Sequence, residues 1–185
     1  EKVLYRQVLD LYATSVDYDP KATETGHFFA VVQNKLHFAA HGHTAAEIVA
    51  ARADASEPNM GLTSFPGDRV LKSDVGVAKN YLTEHELGRL NTLVSAYFDA
   101  AEFRAQNREP TYMRDWLQHL ERLIDAMGGA TLAGAGTVSQ LQARRRAESE
   151  YEKYRSQIAA EDTAVEEQYL ETLKDVRRQI EGKNE

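Results

Sequence analysis

The sequence predicts an all-α fold, a multi-helix bundle with a long C-terminal helical arm. Apolar residues recur at steps of three and four along most of the chain, which is the spacing of helices with one buried face. Two capping-box patterns, TAAE from Thr44 and TEHE from Thr83, mark helix starts. The only plausible strand or irregular piece is 62–72, which has prolines and glycines at its borders. We expect a bundle over 1–136 and an arm over 137–185.

Composition narrows the class of protein. A chain of 185 residues can bury a sizeable core and predicts one domain with an appendage. Cysteine is absent, so disulfides and thiolate metal sites are excluded, and a cytoplasmic location is expected. No apolar run approaches the roughly 18 residues of a membrane span. The net charge of −7 argues against this chain as a primary binder of duplex DNA.

The helix boundaries follow from the spacing of apolar residues and from the prolines, glycines and capping residues between them. The first helix has a short apolar stripe, and Pro110 separates the two longest helices of the bundle. The lone Trp116 falls on a continuous apolar face, which predicts that it packs in the core. Four glycines between 128 and 136 predict a helix cap and a connector. Ser73 is expected to cap a short helix that ends at Tyr81. The predicted helices are 1–14, 28–41, 45–54, 73–81, 84–107, 112–127 and 137–185.

The arm has a narrow apolar seam. Its spacings of three, four or seven resemble a coiled coil, so it either folds back on the bundle or pairs with a second copy, and self-association is favoured. Thr163 and Glu166 could form a capping box at which the arm bends. The Arg144–Arg146 triplet before alternating glutamates predicts a solvated face first and nucleic-acid contact second. The seam consists of Ala147, Tyr151, Tyr154, Ile158, Val165, Tyr169, Leu173, Val176 and Ile180.

One helix has polar residues that solvation explains poorly. Between Phe28 and His41 most positions are apolar, while Gln33, Asn34, His37 and His41 share one stripe. His37 and His41 are four apart, a spacing that can chelate one divalent metal ion. The alternative is an ordinary amphipathic stripe in which each imidazole has a carbonyl or water partner. Two histidines without a third ligand are a weak metal motif.

Three charged residues near this helix need partners. Lys35 falls within the apolar arc, so it either extends its amine to solvent or is a partly buried ammonium that requires a carboxylate or phosphate. His43 follows the helix end, and Gly42 predicts a tight corner before Thr44. Asp54 lies at a helix C-terminus, where an anion is disfavoured, so Arg52 or Lys35 is expected to compensate it.

These residues and the stretches QNKLHFAAHGHTAAEIVAARADASEPNMGLTSF and KSDVGVAKNYLTEHELGRLNTLVSAYFDAAE resemble the C-terminal region of the bacterial RhuM family, which is associated with virulence. The resemblance covers about Val3 to Tyr154. It departs from the family pattern at Phe65-Pro66 and at Thr137, where a lysine is expected. The matching positions are Gln33, Asn34, Lys35, His37, His41, Gly42, Thr44, Glu47, Arg52, Asp54, Asn59, Met60 and Gly61.

The resemblance implies little about chemistry, because the family has no agreed biochemical activity. It implies an upstream DNA-binding-like half, so we expect that this chain, which begins at Glu1, is a fragment and that DNA contact belongs to that half. Members are sometimes grouped with Fic or Doc proteins. AMP transfer of that type requires an anion loop after its catalytic histidine, and neither HFAAHG nor HGHTAAE contains one.

Two functions of different classes follow. The first is a helical interaction and oligomerisation domain that makes a homo-oligomer through the arm. The second is an enzyme with a polar pocket that acts on a phosphorylated or nucleic-acid substrate, with histidine as general base. Its candidate catalytic residues are His37, His41, Lys35 and Asp54, its candidate substrate-binding residues are Asn34, His43, Arg52 and Asn59, and its candidate metal ligands are His37 and His41.

Overall fold

The computed structural model describes residues 12–107 and 110–181, with side chains for all of these except 24, 161–167, 170, 171 and 173–181. The predicted first helix therefore lies almost entirely outside the described residues. The described part is all α-helical with irregular connections, as the sequence predicts. Its α-helices are α1 (Thr23–His41), α2 (Ala45–Arg52), α3 (Glu84–Gln106), α4 (Met113–Ala126) and α5 (Gln140–Glu181).

The bundle is organised around α1. It packs against α3, α4 and α2, while α5 lies along α2. Both predicted capping boxes are present, at Thr44 for α2 and at Thr83 for α3. The described part of segment 62–72 contains turns and bends rather than a strand.

The core contains a hydrogen-bonded aromatic cluster. Tyr12 and Tyr97 share a hydrogen bond of 2.6 Å between their hydroxyls, and the Tyr97 hydroxyl also donates to the Trp116 carbonyl at 3.0 Å. The Trp116 indole donates to the Ser15 hydroxyl at 2.9 Å. Trp116 is 1% exposed, which confirms the prediction of core packing. Because every buried polar tip has a partner, the cluster joins α3, α4 and the segment before α1 without a desolvation penalty.

The predicted helix from Ser73 to Tyr81 is wrong. The Asp74 carboxylate accepts from the Leu71 N–H at 2.9 Å, which closes a turn instead. The Asp74 and Val75 carbonyls accept from the Asn80 amide and the Tyr81 hydroxyl, so side chains take the bonds that a helix would use. Only Ala78–Tyr81 is helical, as one 3-10 turn.

The connection from α2 contains a left-handed turn. Asn59, Met60 and Gly61 have φ of 53°, 59° and 76° in succession. Such backbone costs about 1–2 kcal/mol per non-glycine residue. Met60 is 0% exposed, so its burial offsets part of that cost and fixes the turn against the core.

The arm, α5, is one uninterrupted helix of 42 residues, so the predicted bend at Thr163 and Glu166 is wrong. Neither glycine nor proline occurs near that position, and a capping pattern within a helix-favouring sequence does not end the helix. The start of α5 packs through Ala143 and Ala147, which are 2% and 0% exposed. The Glu150 carboxylate accepts from the Ala55 N–H at 3.1 Å and ties the arm to the end of α2.

Candidate functional site at the junction of α1, α2 and α3

Three histidines lie around the corner that joins α1 to α2. Gly42 ends α1 with φ of 79°, and its N–H donates to the Phe38 carbonyl at 2.7 Å. Thr44 then begins α2: its N–H donates to the Glu47 carboxylate at 2.7 Å, and its hydroxyl accepts from the Glu47 N–H. His43 is exposed, and its Nδ1 donates to the His41 carbonyl at 3.1 Å.

The His37 and His41 rings contact each other. His37 Nδ1 and His41 Nε2 are 3.0 Å apart, and His37 is 1% exposed. Burial, with His41 beside it, lowers the pKa of His37 to about 4. Burial also lowers the pKa of His41 to about 4, helped by Arg52 and His43 and opposed by Glu86. Both rings are therefore neutral at pH 7, and one donates to the other.

The tautomers follow from the remaining nitrogen of His41. His41 Nδ1 is buried and has no hydrogen-bond partner within the described residues. A buried acceptor without a partner is less costly than a buried donor without one. We therefore expect His41 to carry its proton on Nε2 and to donate to His37 Nδ1.

Arg52 is committed to a partner on α3. Its guanidinium donates to both oxygens of Glu86, at 2.7 and 2.6 Å, and to the Tyr81 carbonyl at 2.6 Å. These hydrogen bonds from Arg52 lower the pKa of Glu86 to about 2. The expectation that Arg52 or Lys35 compensates Asp54 is wrong, because each has another carboxylate.

Lys35 is the paired, partly buried ammonium that the sequence suggests. Its side chain is 11% exposed, and Nζ lies 2.8 Å from Glu121 of α4 and donates to the Leu132 carbonyl at 3.0 Å. Its contacts fasten α1 to α4 and to the segment after it. Lys35 therefore has an evident structural role, and its predicted catalytic role is untested.

Asp54 and Asn59 lie beyond the end of α2. The Asp54 carboxylate accepts from the Ser56 hydroxyl and N–H, at 2.6 and 2.8 Å, and these bonds lower its pKa. The cations that also lower this pKa are Arg146 and Lys153 on α5. Asn59 is exposed in the left-handed turn. The hydrogen bonds of Asp54 are thus within its own turn, and the cations that influence it are on the arm rather than beside the histidines.

Glu47 connects the start of α2 to the segment before α5. Besides its capping bonds, one oxygen accepts from the N–H and the hydroxyl of Thr137, both at 2.7 Å. Backbone bonds from Thr44 and then Thr137 lower the pKa of Glu47 to about 2. The connector before α5 is therefore fixed to the start of α2.

The predicted site residues therefore do not form one cluster. His37, His41 and His43 lie together with the Arg52–Glu86 pair beside them, whereas Lys35 contacts α4 and Asp54 contacts Ser56 in its own turn. Asn34 is half-buried on α1. Sequence reasoning grouped them because a helical wheel shows which side of one helix a residue occupies and not which neighbour covers that side.

A cleft opens beside His41 that the sequence did not predict. Its polar part has a volume of about 490 Å³ and is lined by residues of α1, α3 and the segment after α4. Its basic side chains include His85 and Arg89, one turn apart on α3. Exposed histidine and arginine on an amphipathic helix are common, so the sequence gives no signal for them. The cleft is lined by Phe38, Ala39, Ala40, His41, Gly42, His85, Glu86, Arg89, Gly128 and Ala130.

The metal hypothesis has limited support from the geometry. Within 12–107 and 110–181, no group of three or more His, Asp or Glu residues is arranged to hold a metal ion. His37 and His41 supply two nitrogens that hydrogen-bond to each other. A divalent metal at this pair, the cofactor that the sequence suggests, stays a prediction.

Comparison with protein families gives one match. The family model described as the virulence protein RhuM family matches residues 1–162. The chain belongs to this family. The match includes the corner, the cleft and the start of the arm, and it ends within α5 of this RhuM-family chain. No curated protein and no solved structure was found to match it.

Among the described residues, no helix is both long and apolar enough to cross a membrane.

Proposed function

We propose that this RhuM-family chain is a helical interaction domain that forms a homo-oligomer through α5. The observation that carries this proposal is a change of exposure along one seam of one helix. Ala147 is 0% exposed, whereas Tyr169, on the same seam, is 64% exposed. Tyr169 therefore lacks the cover that the seam has near the start of α5.

A second copy is the occupant that fits this seam. The uninterrupted helix leaves no turn at which the arm could fold back within the described residues. At about 1.5 Å per residue, the portion after Ile158 extends for roughly 35 Å. Helices of this length with a narrow apolar seam are usually stabilised by pairing with a similar helix.

The charge pattern of the arm favours an antiparallel pair. Between 159 and 171 the charged residues are acidic, whereas the cations of the last part follow at Lys174, Arg177 and Arg178. An antiparallel arrangement puts the acidic part of one arm beside the cations of the other, and a parallel one puts like charges together. Two bundles would then lie at opposite ends of the pair, and any upstream DNA-binding halves would be held apart by the arms.

Light scattering of the chain and of a version that ends at residue 162 tests this function. We expect a dimer for the complete chain and a monomer for the truncated one. Tyr169→Glu should give monomers because it puts a charge in the seam, whereas Gln168→Glu, which adds the same charge one position away, should not. A monomeric complete chain would refute the proposal.

The second candidate is an enzyme that acts on a phosphorylated substrate, and the cleft beside His41 supports it. In this reading His41 accepts a proton and the nearby cations hold the anion. A pKa of about 4 makes His41 a weak base at pH 7, so substrate would have to raise that pKa. Turnover of p-nitrophenyl phosphate by the wild type, lost in His41→Gln at unchanged melting temperature, would support this candidate. Equal rates in both proteins would oppose it.

A further inference from the structure

A second cleft adjoins the one beside His41. It has a volume of about 360 Å³ and shares Ala39, His85 and Arg89 with the polar one. Its remaining lining is mostly apolar or small: Gly88, Thr92, Leu93, Met127 and Gly129. The two clefts therefore adjoin, one more polar and one more apolar, and His85 and Arg89 line both of them.

Two basic side chains of the cleft are available to a ligand. His85 and Arg89 are exposed, and within the described residues neither forms an ion pair or a hydrogen bond. The carboxylate in the lining, Glu86, already accepts from Arg52 with both oxygens, and one oxygen also accepts from Thr83. Its charge is therefore compensated, and the excess charge in the cleft is positive although the whole chain is acidic.

The apolar end is bordered by the side chains of Met127 and Leu93. Met127 is 43% exposed and Leu93 is 5% exposed, so the methionine side chain can cover a ligand that rests over α3. A Cβ placed on Gly88 would meet no heavy atom within 4 Å, which shows open space on this side of the helix. An apolar group next to a guanidinium is a common arrangement in small-molecule sites.

We propose that this cleft binds a small organic phosphate, with its phosphate on Arg89 and His85 and its apolar body against Met127 and Leu93. Arginine holds phosphate through paired charge-assisted hydrogen bonds, and a histidine one turn away adds another donor. This site does not depend on pairing of the arms and requires no turnover. Its success or failure is therefore separate from that of the oligomer.

Titration with phenyl phosphate, followed by NMR of the histidine ring signals, tests the proposal. We expect the His85 signal, assigned with His85→Gln, to move in a saturable manner. Arg89→Ala should weaken binding about tenfold or more, which corresponds to about 1.4 kcal/mol. Arg145→Ala removes an equal charge from an exposed position on α5 and should change affinity less than twofold.

Gly88→Leu provides a variant that keeps both basic side chains, His85 and Arg89. Leucine favours a helix more than glycine does, so the fold should be retained while the side chain occupies the apolar end. Phenyl phosphate should then bind at least tenfold more weakly, with an unchanged melting temperature or a higher one.

Three results would overturn the proposal. The first is a wild-type titration in which the His85 signal does not move. The second is an equal loss of affinity in Arg89→Ala and Arg145→Ala, which would indicate nonspecific charge attraction. The third is binding of phenol or of inorganic phosphate as tight as that of phenyl phosphate, since one end of the cleft would then contribute nothing.

Discussion

Burial determines the chemistry of His37 more than any neighbouring charge does. The ring is enclosed between helices and has the His41 imidazole as its hydrogen-bond partner. A protonated ring there would lose hydration and would face a second imidazole, so the neutral form is strongly preferred. The predicted polar stripe of α1 is therefore partly interior at this position.

The pH dependence of stability should reveal this histidine. Because the pKa of His37 is about 4 in the folded chain and 6.5 as its ordinary value, the unfolded chain binds more protons between these values. Its stabilising effect is complete above pH 6.5 and declines by roughly 3 kcal/mol as the pH falls towards 4. Urea denaturation from pH 7.5 to 4 measures this decline together with that from His41, whose pKa is also lowered to about 4 by burial.

His37→Gln should reduce the decline, although it lowers stability at pH 7. His27→Gln is the matched control, because His27 is an exposed histidine of the same helix. If the slope with pH is the same in both variants, burial of His37 is not its cause.

Arg52→Ala should destabilise the chain by about 2 kcal/mol, because Glu86 and the Tyr81 carbonyl would lose a charged donor in a partly buried place. The measurement is the free energy of unfolding in urea at pH 7. Arg144→Ala breaks an exposed pair with Glu148 one turn away and should cost no more than about 0.5 kcal/mol. Equal losses in the two variants would contradict the importance assigned to the Arg52–Glu86 pair.

Among the elements, helices with strong local signals were predictable. The α2 and α3 starts were correct because each capping box is complete within four residues. The segment 73–81 was not, because its turns depend on side-chain bonds from Asn80 and Tyr81 to carbonyls several residues earlier. Local patterns therefore located most of the helices and did not define the connections between them.

The candidate site was less predictable than the fold. The sequence left open whether Lys35 reaches solvent or pairs with a carboxylate or phosphate, and it gave no indication that Glu121, more than 80 positions away, is the partner. It also grouped Asp54 with the histidines, although the bonds of Asp54 are to Ser56. Pairing between helices depends on tertiary packing, which the periodicity of one helix does not encode.

The left-handed turn after α2 should be sensitive to one methyl group. Gly61→Ala puts a Cβ against the Arg52 carbonyl in a backbone conformation that L-residues avoid. We expect a loss of more than 2 kcal/mol in thermal or urea unfolding. Gly76→Ala is the control, since a Cβ there meets no heavy atom within 4 Å. A loss below about 0.5 kcal/mol for Gly61→Ala would show that the turn adapts.

At the scale of the molecule, the arm has two parts with different surroundings. Its beginning belongs to the bundle, because Ala143 and Ala147 are buried and Glu150 accepts from the Ala55 N–H just after α2. Its later part shows one large exposed apolar side chain, Tyr169, among those described. The family match ends between these two parts, at residue 162.

If the arms pair, stability should depend on protein concentration. The melting temperature of the complete chain should rise as concentration increases, because only the folded chain associates. The version that ends at residue 162 should melt at one temperature across a hundredfold range. Calorimetry over that range makes the comparison, and a concentration-independent melting temperature for the complete chain would exclude pairing as a source of stability.

The turn at Asn59, Met60 and Gly61 also makes a stereochemical experiment possible. Positive φ is ordinary for a D-amino acid, whose Cβ replaces the other hydrogen of glycine. Chemical ligation could therefore install D-alanine at 61, where the mirror-image residue avoids the backbone strain of L-alanine and leaves the unfolded chain fewer conformations. L-residues are strained in this segment, so a D-residue at position 61 should stabilise the folded chain.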